Sequence, residues 1–130
     1  MDAHQYLTEI KSRLIASPVV DTFTIVEEQD PDDRGYFRAR VTLTNNDFLE
    51  IAEYFVLVDG QPKPDRYRYQ WMDSTQQVLR KRWDNVRHFP KLPNFPHHVH
   101  ISSEDNVRPS EARGIPEFLT LLKAEMLVEK

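Results

Sequence analysis

The spacing of apolar residues along the chain changes from a helical period to a strand period and back again. Residues 2–16 carry apolar side chains three to four positions apart, and Ser17-Pro18 ends this pattern because a residue before proline avoids the α region. A second helical stripe begins at Ile115-Pro116, where proline suits the first turn of a helix. The pattern therefore predicts one helix near each end of the chain.

Between these helices, apolar and polar residues alternate in short segments that turn-forming residues separate. The segments predicted to be strands are residues 19–28, 36–44, 48–58, 66–73 and 76–84. The predicted turns are residues 30–35, Asn45-Asn46, residues 59–64 and Ser74-Thr75, whereas residues 104–113 are polar and expected to be irregular. The chain therefore predicts a single α+β domain over residues 1–130. A five-stranded antiparallel meander, six-stranded if a short strand follows, is flanked by an N-terminal and a C-terminal helix.

The first predicted hairpin allows the facing residues to be counted. If Asn45-Asn46 is a two-residue loop, Arg38 lies opposite Glu53. A carboxylate on an apolar strand face needs such a partner, because burying it alone is costly. This pair has two interpretations, a plain cross-strand ion pair or part of a functional site.

The second hairpin predicts a ladder of aromatic rings and guanidinium groups. With a two-residue loop at Ser74-Thr75, Tyr67 faces Arg82 and Tyr69 faces Arg80. Arginine packs favourably on an aromatic ring, so the ladder suits a solvated sheet face. Aromatic residues interleaved with arginine also suit stacking against single-stranded nucleic acid.

Composition narrows the classes of function. The net charge of −4 argues against a nucleic-acid footprint over the whole surface and leaves a local basic patch open. The chain has no cysteine, which excludes a disulfide scaffold and a thiolate metal site. The N-terminus lacks a signal-peptide pattern, and no apolar run approaches the ~20 residues needed to span a bilayer. These features are compatible with an intracellular, reducing compartment, and we expect no membrane contact.

Residues 82–100 concentrate the chemistry-bearing side chains. Four of the five histidines lie there, together with prolines that stiffen the segment. If Val99 is extended, His98 and His100 share one face and His97 points to the other. The candidate catalytic residues are His88, His97, His98, His100, Arg82, Asp84, Glu53 and Tyr69. The candidate substrate-binding residues are Arg87, Lys91, Arg38 and Arg80.

These residues support two kinds of catalysis. Without a cofactor, one imidazole would activate a 2′-hydroxyl of RNA and another would protonate the leaving oxygen. Arg82, Arg87 or Lys91 would hold the phosphate, and Asp84 would orient a histidine. Alternatively, His98 and His100 would bind a divalent metal with a carboxylate from Glu53 or Asp84. A non-catalytic module that binds a partner protein is a third possibility.

Several segments resemble the TumE family of small prokaryotic toxins. The resemblance rests on Arg82-Trp83-Asp84-Asn85, on His88 and on Phe95-Pro96-His97-His98-Val99-His100, with further agreement at residues 35–40, 49–53 and 67–70. Two positions depart from the family's usual pattern, because Phe89 replaces a histidine and Val99 replaces a lysine.

The resemblance implies a cytoplasmic toxin that a cognate antitoxin neutralises, typically a helix-turn-helix protein encoded beside it. RNA is the expected target by analogy, since many small toxins cleave RNA. A homodimer is compatible with this interpretation.

Overall fold

The computed structural model describes residues 1–128, which form two helices and one seven-stranded sheet. The elements are α1 (Ala3–Ala16), β1 (Val20–Gln29), β2 (Arg34–Leu43), β3 (Phe48–Val58), β4 (Gln61–Met72), β5 (Leu79–Asp84), β6 (His98–Ile101), β7 (Val107–Pro109) and α2 (Ile115–Val128). Each strand pairs antiparallel with the next in chain order. The predicted α+β class, with an antiparallel meander and a helix at each end, is confirmed.

The predicted number of strands is wrong, because the described part of the chain contains seven and not five or six. Residues 98–101 form β6, which pairs with β5 through Trp83 and Val99. Val107–Pro109 forms β7 within a segment that we expected to be irregular. Its three residues are too few and too polar to show alternation in the sequence. The strand is recognised only by its hydrogen-bonded pairing with β6.

The hydrophobic core lies between one face of the sheet and the two helices. Along β2 and β3, every second side chain is buried on this face, as the alternation predicts. The largest buried side chains are Trp71, Tyr69, Phe37, Phe55 and Phe118. The opposite face, here called the open face, carries Arg38, Glu50, Arg68, Arg82 and Asp84.

Helix α1 begins and ends where its sequence signals predict. Asp2 caps its first turn by accepting a hydrogen bond of 2.8 Å from the Gln5 amide, and the Gln5 side chain accepts one from the Asp2 amide. Ser17 takes an extended conformation before Pro18 and ends the helix. None of the helices described within residues 1–128 is long and apolar enough to cross a membrane.

The predicted Arg38–Glu53 pair is wrong, because the first hairpin has a three-residue loop. Asn46 has a φ of 72°, and the Leu43 amide donates to the Asp47 carbonyl at 2.9 Å. This extra residue shifts the register, so Ala52 and not Glu53 lies opposite Arg38. Glu53 remains on the apolar face of the sheet, and Arg38 lies on the opposite face.

The predicted tyrosine–arginine ladder is also wrong. The Asp73 side chain accepts hydrogen bonds from the amides of Gln77 and Val78, which lengthens the second loop so that β5 begins only at Leu79. Tyr69 therefore faces Trp83 inside the core, and Gln70 faces Arg82 on the open face. The tyrosines cannot stack on bases, because both are buried.

The turn predicted at residues 59–64 is shorter than expected. Asp59 and Gly60 both have left-handed backbone angles, with φ of 52° and 73°, and form a two-residue turn. Such a turn matches the twist of the flanking strands. As a result, β4 begins at Gln61 and includes both prolines of this segment.

Candidate functional site

The candidate site lies on the open face, where β5 and β6 run side by side. Asp84 pairs with His98 and Arg82 pairs with His100 across these strands. Because paired residues project to the same face, these four side chains meet on the open face. His97 lies on the opposite side, as the alternation predicts.

Asp84, His98 and His100 form a buried group that we call the Asp–His–His cluster. The Asp84 Oδ1 atom lies 2.9 Å from His98 Nε2, and its Oδ2 atom lies 3.7 Å from His100 Nε2. The three side chains are at most 5% exposed. Asp84 also accepts hydrogen bonds from the Val86 amide at 3.0 Å and from Arg82 Nε at 3.2 Å.

Backbone carbonyls fix the protonation of both imidazoles at Nδ1. His98 Nδ1 lies 2.8 Å from the carbonyl oxygen of Pro96, and His100 Nδ1 lies 3.0 Å from that of Glu104. A carbonyl oxygen only accepts, so each Nδ1 must carry the proton and donate. In a neutral ring, Nε2 then holds a lone pair, and both Nε2 atoms face the Asp84 carboxylate.

The cluster forms one wall of a cavity of about 390 Å³. The cavity is lined by Arg68, Arg82, Asp84, Val86, His88, Phe89, His98, His100 and Glu104. The rings of Phe89 and His98 pack edge to face, with 5.0 Å between ring centres. The resemblance leads to the expectation of a histidine at this position, but Phe89 contributes a hydrophobic wall in place of an ionisable group.

Glu104 forms a salt bridge with Arg82, whose guanidinium group we expected to hold phosphate. The Arg82 Nη1 and Nη2 atoms donate to the two carboxylate oxygens of Glu104 at 2.6 and 2.5 Å. These bonds raise the pKa of Arg82 and lower the pKa of Glu104. Because the Glu104 side chain is 64% exposed, solvent screens the pair and an anionic ligand can compete for Arg82.

Glu53 lies on the helix-covered face and not beside the cluster. Its carboxylate accepts hydrogen bonds from the Tyr6 hydroxyl at 2.9 Å and from the Ile115 amide at 2.8 Å. Burial raises the pKa of Glu53 to about 8. Glu53 therefore links both helices to the sheet and lies away from the cavity.

Tyr69 and His97 also lie on the helix side of the sheet. The Tyr69 hydroxyl donates to the Arg113 carbonyl at 2.7 Å, and its ring stacks on Phe118. His97 Nδ1 is 2.8 Å from the Tyr67 hydroxyl, and burial lowers the pKa of His97. Tyr69 therefore belongs to the core, whereas His97 is half-buried and lines a hollow separate from the cavity.

The predicted substrate-binding residues do not meet at the cavity. Arg38 pairs with Glu50 at 2.6 Å elsewhere on the open face, and Arg80 lies 3.2 Å from Asp47. Arg87 packs over the Phe95 ring, 5.0 Å from its centre, and lines a different hollow. Lys91 is exposed and does not line the cavity.

Arg68 and Glu104 line the cavity, and sequence reasoning did not select either of them. Arg68 lies opposite Asp84 and donates to the Gln70 side chain at 2.6 Å. Arg68 lies beside Asp84 only in the observed register of β4 and β5. The predicted two-residue loop at Ser74-Thr75 would place a different residue opposite Arg68. Glu104 follows β6 in a segment without periodicity, so no pattern signals its position.

Comparison with known proteins identifies a family. The chain matches no curated protein and no solved structure. The model of a protein family described as Toxin TumE matches residues 10–127, a span that includes the cluster and nearly the whole sheet-and-helix core. The resemblance seen in the sequence is thereby confirmed, and the chain belongs to the TumE toxin family.

Proposed function

We propose that this toxin acts on RNA and cleaves it at the Asp–His–His cluster. As a member of a toxin family, the chain is the toxin component of a toxin–antitoxin pair. The observation that supports cleavage is the convergence of two buried imidazoles and one carboxylate at a cavity that also contains two arginines. Imidazole exchanges protons near neutral pH, and guanidinium binds phosphate.

The reactive atoms of the cluster are the two Nε2 atoms. Each Nδ1 is held by a carbonyl, so only Nε2 can take or give a proton or bind a cation. In cleavage without metal, one Nε2 takes the proton of the 2′-hydroxyl, and the oxygen then attacks the neighbouring phosphorus. The bond to the 5′-oxygen breaks, and the second imidazole, in its protonated form, supplies the proton.

The arginines supply the electrostatic part of the proposal. Arg68 is exposed, and it forms no ion pair with any residue in the described part of the chain. It can therefore contact a phosphate directly, and Arg82 can do so when the substrate displaces Glu104. Both would stabilise the charge that develops on the phosphate oxygens.

The test compares growth and RNA integrity in cells that express the parent chain or single variants. We expect His98→Ala and His100→Ala each to relieve growth inhibition and to reduce cleavage of RNA by the purified protein at least ~100-fold, the usual scale for losing an acid or base. His4→Ala is the matched control, because His4 is 77% exposed and far along the chain from the cluster. If both cluster variants inhibit growth like the parent, the site is wrong; if the parent inhibits growth without cleaving RNA, the substrate is wrong.

The proposed partner is an antitoxin of the helix-turn-helix type encoded by a neighbouring gene. Membership of a toxin family implies a cognate antitoxin, and the resemblance supplies its type. We expect coexpression of that neighbour to restore growth and the two proteins to copurify. A neighbour that neither restores growth nor binds the toxin would contradict this choice of partner.

A further inference from the structure

We infer that Asp84, His98 and His100 form a binding site for a divalent transition-metal ion. This site lies in the same cavity as the proposed RNA-cleavage site. Metal binding is independent of RNA cleavage, and only a catalytic role of the metal rests on the proposed function. Binding itself follows from the arrangement of the three side chains. Their ligand atoms, one from each residue, all lie within 4.8 Å of one another.

The tautomers of the two histidines are the first argument for a cation. His98 Nε2 and Asp84 Oδ1 are 2.9 Å apart, and without a proton or cation between them two lone pairs would face each other. A second proton on His98 would satisfy this contact. It would leave His100 Nε2 without a protein acceptor, because that atom is 3.7 Å from Asp84 Oδ2, beyond hydrogen-bond distance. A metal ion at the centre of the cluster satisfies both rings.

The second argument is the set of hydrogen bonds that orient the three ligand side chains. Histidines that bind metals usually donate their other N–H to a carbonyl or carboxylate, as His98 does to Pro96 and His100 to Glu104. Ligating carboxylates are likewise hydrogen-bonded, as Asp84 is by the Val86 amide and Arg82. All three side chains are therefore already oriented for coordination.

The two separations between Asp84 and the histidines suit one ion of the first transition series. Ligands at about 2.0–2.2 Å from such an ion lie roughly 3–3.5 Å from one another. The contacts of 2.9 and 3.7 Å that Asp84 makes with the histidines differ from this range by only tenths of an ångström. Two imidazoles favour Zn²⁺ and its neighbours over Mg²⁺ or Ca²⁺, which prefer oxygen ligands.

Three protein ligands leave at least one coordination position open, as in catalytic zinc sites. That position would face the cavity, since Arg68, Arg82 and Phe89 line the space beside the cluster. A bound metal there would lower the pKa of a coordinated water and polarise a phosphate oxygen. The arginines at the rim would then bind the remaining oxygens of the same phosphate.

The test measures metal binding without RNA, on the full chain purified without a histidine tag and freed of metal by a chelator. We expect calorimetry with Zn²⁺ alone to show one ion bound per chain. His98→Gln and His100→Gln should each weaken binding more than ~100-fold, since even losing a supporting partner typically costs 10–100-fold. His4→Gln is the control and should bind like the parent. A parent that binds no Zn²⁺ or Mn²⁺, or cluster variants that bind as tightly as the parent, would overturn the site.

A second measurement avoids substitutions that could unfold the chain. Nitrogen-15 spectra of the imidazoles in the parent protein should show Nδ1 protonated in His98 and His100, and Zn²⁺ should shift their Nε2 signals. Unchanged Nε2 signals in the presence of Zn²⁺ would contradict the inference. RNA cleavage that survives a strong chelator would leave the metal without a catalytic part, whereas a parent that binds Zn²⁺ but cleaves no RNA would contradict only the proposed function.

Discussion

At the scale of single residues, Glu53 is a carboxyl group whose protonation is linked to folding. Burial is the main cause that raises its pKa from 4.5 to about 8, while hydrogen bonds from Ile115 and Tyr6 offset part of the shift and the charge of Glu117 adds to it. Tyr69 packs in the same region and stays neutral, because burial raises its pKa as well. Between about pH 4.5 and pH 8, the folded chain therefore retains a proton on Glu53 that the unfolded chain releases.

This difference predicts how stability depends on pH. Because the pKa of Glu53 is higher in the folded state, its contribution is fully present below about pH 4.5 and is lost as the pH rises to about 8. We expect the free energy of unfolding of Glu53→Gln to fall less over this range than that of the parent, measured by urea denaturation at several pH values. Glu50→Gln is the matched control, since Glu50 pairs with Arg38 on the open face and its substitution leaves Glu53 intact. Equal slopes for the parent and Glu53→Gln would show that Glu53 does not titrate as proposed.

At the scale of the elements, the loop between β2 and β3 determines which residues share a face. Periodicity predicts both strands, because alternation is a property of the strands themselves. It does not predict their register, because the loop holds three residues and Asn46 has a left-handed backbone. Arg68 was missed for the same reason, because its position beside Asp84 depends on the length of the loop between β4 and β5, which periodicity does not give. The predicted meeting of Asp84 with His98 and His100 needed β5 and β6 to be neighbours, as consecutive strands usually are, although residues 85–97 separate them.

The backbone of Asn46 predicts a distinctive response to substitution. A positive φ costs most side chains about 1 kcal/mol, and asparagine and glycine tolerate it best. We therefore expect Asn46→Ala to destabilise the protein by about 1 kcal/mol and Asn46→Gly to remain within about 0.5 kcal/mol of the parent, measured by denaturant unfolding.

Asn45 provides the control for this prediction within the same loop. Its side chain accepts a hydrogen bond of 2.9 Å from the Asp47 amide, and its φ is not positive. Both Asn45→Ala and Asn45→Gly should therefore destabilise, with glycine giving no rescue. If alanine and glycine have equal effects at position 46, the left-handed conformation and the three-residue loop are wrong.

At the scale of the whole molecule, the sheet separates a face used for folding from a face available for binding. Both helices and the large aromatic residues occupy one face, where Glu53 and Tyr69 belong to the core. The open face carries the cluster together with arginines, of which Arg38 pairs with Glu50 and Arg82 pairs with Glu104, whereas Arg68 points to solvent without an ion pair among the described residues. Sequence composition gives the total charge, but the face on which each arginine lies follows only from strand register.

This separation predicts that RNA contacts the open face through Arg68. An arginine that neutralises one phosphate releases counterions, so losing it should weaken binding and reduce the salt dependence of the affinity by about 0.7 in logarithmic slope. We expect Arg68→Ala to weaken binding of single-stranded RNA about five- to tenfold, the scale of one charge-assisted contact of about 1–1.4 kcal/mol. Fluorescence anisotropy at several salt concentrations measures both quantities, with His98→Ala as the background so that the RNA stays intact. Arg13→Ala is the matched control, because Arg13 lies on α1 and its guanidinium pairs with Glu9. If the Arg13 and Arg68 variants lose affinity and salt slope equally, binding is spread over the surface and the open face is not the RNA site.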